Sequence, residues 1–484
     1  MISRHTMCSV GMAFLIPLLC FAVDRPVTTA AEIAAAAAEA APGDTLTMAD
    51  GVWQDADIVF EGIGTEHGPI TLRARTPGRV ILSGRSRLRI GGEFLVVDGL
   101  CFQNGWVKGH VIAFRRDSKR AANHCRVTNC AVIDYNPPDK KTDSRWVSLY
   151  GTHNRVDHCY LGGKNNSGTT LVVWLSDGPN HHLIDRNHFG SRPYLGWNGG
   201  ETIRIGTSKR SMVSSRTVVE NNLFEECSGE AEIISDKSCD NIHRYNTFRS
   251  CGGALTLRHG NRDTVEANWF IGGGTKGTGG VRVIGEGHRV FNNCFVELTG
   301  RGHRAALSLM NGMPDGPLHG YAPVKDVIIA HNTFFRCRQS VVLGCKASRK
   351  LSVPPSRCRI ANNLLFSDTH PLIEAQAELQ ESEWIGNVFQ APKLGIAERP
   401  GLQQAVLAGR SGVDGVVRFE PAQNASRPVL SNPDDIDGQP RGIPPHVGCD
   451  QTSDALITRR PLTAADVGPG WDRGGHGFPA GSSQ

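Results

Sequence analysis

No two cysteines in this chain stand as a CxxC pair, and no framework spacing relates them. That excludes a disulfide-stapled miniature fold and a cysteine-based zinc site as organising principles. Of the 14 cysteines, Cys8 and Cys20 fall in the N-terminal segment. The other 12 are scattered, several at apolar positions such as Cys130, Cys159 and Cys294, and read as small buried hydrophobes. An oxidising compartment would permit a disulfide among them. Long basic runs are missing too, so nothing points to nucleic acid, and a net charge of +5 over 484 residues is only a weak lean toward an acidic partner. Past the N-terminus no stretch is apolar enough to span a membrane.

The one apolar run is short. Arg4 and His5 precede Val10 to Ala22, which contains Phe14, Leu15, Leu18 and Leu19 and ends in Cys20-Phe21-Ala22. This fits a signal peptide over residues 1–23, and the run falls short of the roughly 20 residues of a spanning helix. Leu18-Leu19-Cys20 lacks the small residue that usually precedes a lipoprotein cysteine. The expectation is a secreted or periplasmic protein without stable membrane insertion.

What recurs is asparagine, then any residue, then an apolar or aromatic one. Asn187, Asn222, Asn246, Asn268, Asn293, Asn332, Asn363 and Asn387 each open a copy, at intervals of 35, 24, 22, 25, 39, 31 and 24 residues. A base period in the low twenties with loop insertions accounts for all of them. The pattern predicts an all-β parallel β-helix, with stacked turn asparagines and inward apolar residues in each coil. There is no leucine-rich consensus and no amphipathic helix pair per repeat, and a sandwich or propeller would not drift by whole loops. Ala31 to Ala41 reads as an N-terminal helical cap. The β-helix is expected over residues 24–395. Residues 396–484 read as an irregular C-terminal cap or extension packed on the helix, with an independent small domain as the alternative.

Within the helix one stretch, from Asn198 to Arg282, concentrates charge. It contains NGGETIRIG, GEAEIISDKS, LTLRHGN and GGVRVIG. Ile203-Arg204-Ile205 and Val281-Arg282-Val283 alternate apolar and charged residues, and Glu230 and Glu232 sit two apart, which a strand turns to one face. Arg204, Glu232, Arg258 and Arg282 are separated by 28, 26 and 24 residues. These near-equal steps predict a column of charges on one outer wall, with Arg258 almost directly above Lys237.

NGGETIRIGTS, GEAEIISDKS and LRHGN, in this order and spacing, resemble polysaccharide lyase family 6, which contains alginate lyases and chondroitinase B. The likeness extends from the PGD near Asp44 to the VGPGW near Trp471. It implies a right-handed parallel β-helix and calcium-assisted β-elimination on uronate polymers. By motif position, Lys237 matches the family's general base and Arg258 its general acid, while Asn198, Glu230 and Glu232 match its calcium ligands.

The chemistry asks for such a set independently. Elimination across a 4-linked uronide removes the C5 proton beside an anionic carboxylate, so a divalent cation or guanidinium must stabilise the enolate-like transition state. Calcium takes hard oxygen ligands, which Asn198, Glu230 and Glu232 supply. A lysine abstracts a proton only as the neutral amine, a form that neighbouring cations favour. Arginine seldom donates a proton, so chemistry alone would give Arg258 an electrostatic role at the leaving oxygen. Arg204, Arg282 and, as an assistant, His259 are expected to bind substrate, the arginines through neighbouring carboxylates.

The expected activity is a lyase on an anionic polysaccharide, alginate before dermatan sulfate. A β-helical glycoside hydrolase needs carboxylic acids flanking the glycosidic bond, and Glu230 and Glu232 are poorly placed for that. A non-catalytic β-helical glycan-binding surface protein is the other reading, since fold alone does not give function.

Overall fold

A computed structural model describes residues 22–411, 416–420 and 434–472. The expected signal segment, residues 1–21 of it, lies outside the described residues. Three parallel sheets of 14, 13 and 14 strands run the length of the chain. Each strand pairs with its counterpart one coil earlier and one coil later, so the architecture is the parallel β-helix that the asparagine period predicts. Most central strands are only three residues long, such as Val218–Glu220 and Leu223–Glu225. Their inward residues, among them Val219, Phe224, Phe248, Phe270 and Phe295, form one continuous core.

The turn between the first and third sheets shows why asparagine repeats. A residue with left-handed φ, for example Asn221 at 54°, Tyr245 at 57° or Asn292 at 59°, precedes each asparagine. That conformation costs a non-glycine residue about 1 kcal/mol. The asparagine offsets it. Asn246 accepts from the backbone N–H and Nδ2 of Asn222, both at 3.0 Å, and donates Nδ2 to the Val219 carbonyl at 2.8 Å and to Asn268 at 3.0 Å. The same exchange links all eight copies from Asn187 to Asn387. Two residues on, Phe189, Phe224, Phe248, Phe270, Phe295 and Phe334 stack with centroids 4.6–5.0 Å apart, close to the spacing of neighbouring strands.

The helix Ala30–Ala38 covers the open N-terminal end, with Ile33 and Ala37 buried. The last strand of the third sheet is Leu402–Gln404. Residues 434–472 then run back along the flank. Cys449 bonds Thr333 at 3.0 Å, Leu462 bonds Thr247 at 2.8 Å, and the Trp471 indole donates to the Asn129 carbonyl at 2.7 Å. All 12 described cysteines are buried and free. Among the described residues no helix is long and apolar enough to cross a membrane.

Buried ion pairs on the first sheet give the fold an acid limit. Burial alone would raise the Asp157 carboxyl, but Arg126 (2.7 and 2.6 Å) and His158 (2.6 Å) donate to it and hold it at about 2, against 3.8 in an unfolded chain. The folded value is the lower one, so this stabilisation is present above pH ~4 and is lost as the pH falls through about 2. Asp157→Asn is therefore expected to cost about 2 kcal/mol at neutral pH and nothing below pH 2. Chemical unfolding of both proteins between pH 2 and pH 7 checks this, and a difference independent of pH would contradict it.

Candidate active site

Four successive strands of the second sheet carry the charged stretch: Ile203–Gly206, Glu232–Lys237, Ala254–His259 and Val281–Val283. Ile203, Ile205, Ile234, Leu255, Leu257, Val281 and Val283 point into the core, and the alternate residues point out.

The outward row differs from the expected column. Arg204 pairs with Ser235, Ser235 with Thr256, and Thr256 with Arg282. Glu232 pairs instead with Ala254. Lys237 pairs with His259, because the register shifts between Asp236 and Lys237. Arg258 is thus the extra residue of a bulge beside Lys237, not its partner in the row. Equal residue counts cannot reveal such a shift, since one bulged residue changes the alignment without changing the coil.

Glu232 is the hub. It accepts from Arg282 and from the Ser235 hydroxyl, and Arg258 Nε lies 3.7 Å away. Burial would raise its carboxyl, but Arg282, Ser235, Lys237 and Arg258 together hold it below the usual carboxylate range. Arg282, only 3% exposed, is committed to this pair and does not stand free on the wall as expected.

Lys237 ends its strand, half-buried, and its side chain has no hydrogen bond or ion pair among the described residues. Asp236 beneath it is fully buried and fixes the corner, accepting from His243 (2.8 Å), Asn241 (2.9 Å) and the backbone of Ser238 (3.2 Å). His259 is buried, and its burial together with Arg258 and Lys237 depresses it to about 3, so it is neutral at ordinary pH. Arg258 is steadied from two coils further on. It donates to the carbonyls of Gly320 (3.1 Å) and His319 (3.4 Å), and its guanidinium lies 4.6 Å from the Tyr321 ring centre. Burial lowers it from its ordinary value.

At the other end of these strands carboxylates gather. Glu230 lies just before the Glu232 strand, and burial, Glu201 and Glu232 push it up to about 7. It accepts from the backbone of Gly199 at 3.2 Å, which brings the exposed Asn198 to the same edge. Glu201 is 2% exposed, and its Oε2 has no hydrogen-bond partner. Fully buried Arg192 braces this loop, donating to the carbonyls of Asn166 (3.1 Å), Gly168 (2.8 Å), Gly199 (3.1 Å) and Glu201 (2.9 Å). Gly200 has to be glycine, since a Cβ there would lie 2.5 Å from the Gly229 carbonyl oxygen. Among the described residues no three His, Cys, Asp or Glu side chains form a ready metal cage. The unpartnered Glu201 oxygen and the raised Glu230 nevertheless mark surplus negative charge in an all-oxygen donor set, which suits a hard cation.

The Chondroitinase B family model matches residues 27–426. The chain belongs to polysaccharide lyase family 6. Among solved structures, this family 6 chain is similar to the PL6 family alginate lyase AlyGC, with 37% identity and a TM-score of 0.83 over 93% of this chain and 58% of that one. It is also similar to a mannuronic acid specific family 6 lyase from human gut microbiota (34% identity, TM-score 0.71, 79% of this chain and 91% of that one). A third likeness is to Pedsa3628 from Pseudopedobacter saltans (26% identity, TM-score 0.70, 92% and 99%). The chain thus spans a little over half the length of AlyGC. No curated protein sequence matches it.

Sequence reasoning placed Lys237, Arg258, Glu230, Glu232, Asn198 and His259 in one region of the chain; the structure sets Lys237, Arg258, His259 and Glu232 on two adjacent strands and leaves Glu230 and Asn198 at the opposite end of them. Arg204 lies one coil toward the N-terminus, its Cζ 5.1 Å from the Trp174 ring centre. Glu201 was missed although it lies within the NGGE motif. Nothing in the sequence pointed to Tyr321, which reaches the site from a distant loop.

Proposed function

We propose that the protein is a calcium-assisted lyase that cleaves 4-linked uronate polymers by β-elimination, with alginate as substrate. One observation carries this reading. Lys237 and Arg258 project from adjacent strands on an open sheet face, with Glu232 and its arginines beside them and surplus carboxylates at the far edge. In this reading Lys237 Nζ removes the C5 proton, and the electron pair left behind expels the 4-linked oxygen. Arg258, held by the Gly320 and His319 carbonyls, faces that leaving oxygen and donates to it directly or through water. His259, neutral and buried, orients Arg258 from 3.3 Å. Asn198, Glu230 and Glu232 would hold calcium, with Glu201 as a further carboxylate nearby. Bound there, the ion would neutralise the substrate carboxylate and so acidify the C5 proton.

Alginate is favoured by the two similar lyases at 37% and 34% identity, one described as an alginate lyase and the other as mannuronic acid specific. Dermatan sulfate is the second reading, favoured by the description of the matching family model. The test is the initial rate of unsaturated uronide formation on both polymers at equal uronate concentration. Faster reaction on dermatan sulfate would reverse the substrate assignment, and reaction on neither would end the reading. A chelator is expected to suppress elimination and added calcium to restore it. Full turnover by exhaustively chelated protein, metal-free by elemental analysis, would leave the carboxylate to arginine alone. The N-terminal segment supports export to the periplasm or medium, which fractionation of an expressing cell would check.

A further inference from the structure

The Lys237 row continues toward the N-terminus as a ladder of cations and rings. Leu149 pairs with Val173, and Val173 with Ile205. The next residues along these strands are Tyr150, Trp174 and Gly206, and Gly206 pairs with Lys237. Trp174 and Tyr150 therefore lie two and three coils from Lys237, or about 10 and 14 Å at the strand spacing. Their rings stack at 5.8 Å and 11°. Arg115, one coil further, caps the stack with its Cζ 3.9 Å from the Tyr150 ring centre, and Arg204 lies over Trp174 at the other end at 5.1 Å. Arg145 also approaches Trp174, at 5.5 Å, but is paired with Asp143.

Neither Arg115 nor Arg204 has an ion pair among the described residues, and all four ladder side chains are half-buried. A guanidinium stacked on a ring keeps its N–H edge free for a bidentate carboxylate while losing most of its rotational freedom. Glu201 and Asp143 act on Arg204 only from beyond ion-pair distance, and two cations with no direct carboxylate partner among the described residues suit a polymer with repeated carboxylates, which a neutral glycan would not satisfy.

We propose that Arg115, Tyr150, Trp174 and Arg204 form a binding wing for a uronate chain, along which the polymer runs parallel to the helix axis from the cleavage point toward the N-terminal coils. The ligand class rests on the function proposed above. Arg115 and Arg204 hold carboxylates, and Tyr150 and Trp174 position them. With about one sugar per coil, Arg204 meets a sugar next to the cleaved bond and Arg115 one three or four sugars away.

Calorimetry of saturated tri- and hexauronate binding to the inactive Lys237→Ala background tests this without turnover. Kinetics of the otherwise unsubstituted enzyme on both lengths complete it. Arg115→Ala is expected to weaken hexauronate binding, and to raise KM for long substrates, about tenfold, with the trimer and kcat unchanged. Tyr150→Ala should do the same and Tyr150→Phe should restore the tight binding. An unchanged preference for the hexamer in Arg115→Ala and Tyr150→Ala overturns the wing, and so does an equal loss on both lengths, which would mean packing alone. If elimination is absent but hexamer binding depends on Arg115, the lyase reading fails and the wing stands. If elimination proceeds but length preference ignores Arg115, the wing fails and the lyase reading stands.

Discussion

Lys237→Ala is expected to lower kcat about a thousandfold while leaving the fold intact, the range general-base removal usually produces. Both halves of the expectation come from one geometry. The corner that presents Lys237 is built by its neighbours: Asp236 is anchored by His243, Asn241 and Ser238, and Ile234 packs in the core. The Lys237 side chain contributes no hydrogen bond or ion pair among the described residues, so its loss should change stability by only about 0.5 kcal/mol. Turnover on alginate and thermal unfolding, measured side by side, check it. A variant that keeps a tenth of its turnover with an unchanged melting curve would remove Lys237 from the base role and shift attention to His259, which is neutral and shares the row.

The second large effect is on stability. Arg282→Ala is expected to destabilise the protein by about 3 kcal/mol or more, the usual cost of leaving one partner of a buried pair alone. Glu232 would keep the Ser235 hydroxyl but lose the cation that does most to offset its burial. Arg282→Lys should rescue only in part, because a point charge does not reproduce the planar donor edge. In a double-mutant cycle with Glu232→Gln, the combined loss should be clearly smaller than the sum of the two single losses. Denaturant midpoints for the four proteins decide it. Additive losses would mean that Arg282 and Glu232 act independently, and would return Arg282 to the substrate-binding role that the sequence suggested for it.

Much of the fold could be read from the chain because a β-helix repeats locally. The asparagine interval follows from one turn conformation and one set of amide hydrogen bonds, so each copy announces its coil however long the intervening loops become. The same regularity let Ile203, Ile205, Val281 and Val283 be assigned inward and Arg204 and Arg282 outward. Motif spacing also brought Lys237, Arg258 and the glutamates into one neighbourhood, since adjacent coils are necessarily adjacent in space. Tyr150 and Trp174 were legible in principle, being 24 residues apart, one coil interval.

Only the tertiary structure decided how those neighbours meet. The register shift at Lys237 depends on how two particular strands lie together, and a bulge leaves no trace in the residue count. Arg282 has the outward position its pattern predicts, yet packing buries it against Glu232. The Gly320 and His319 carbonyls reach Arg258 across 62 and 61 positions of sequence, with Tyr321 beside them, a path set by how a loop folds over the stack. The sequence determined the coil of each asparagine copy and the inward or outward face of the alternating strand residues, because those follow from local periodicity. Exposure, exact pairing and charge partner were left to the packed structure, because they depend on contacts between coils whose loops have no common length.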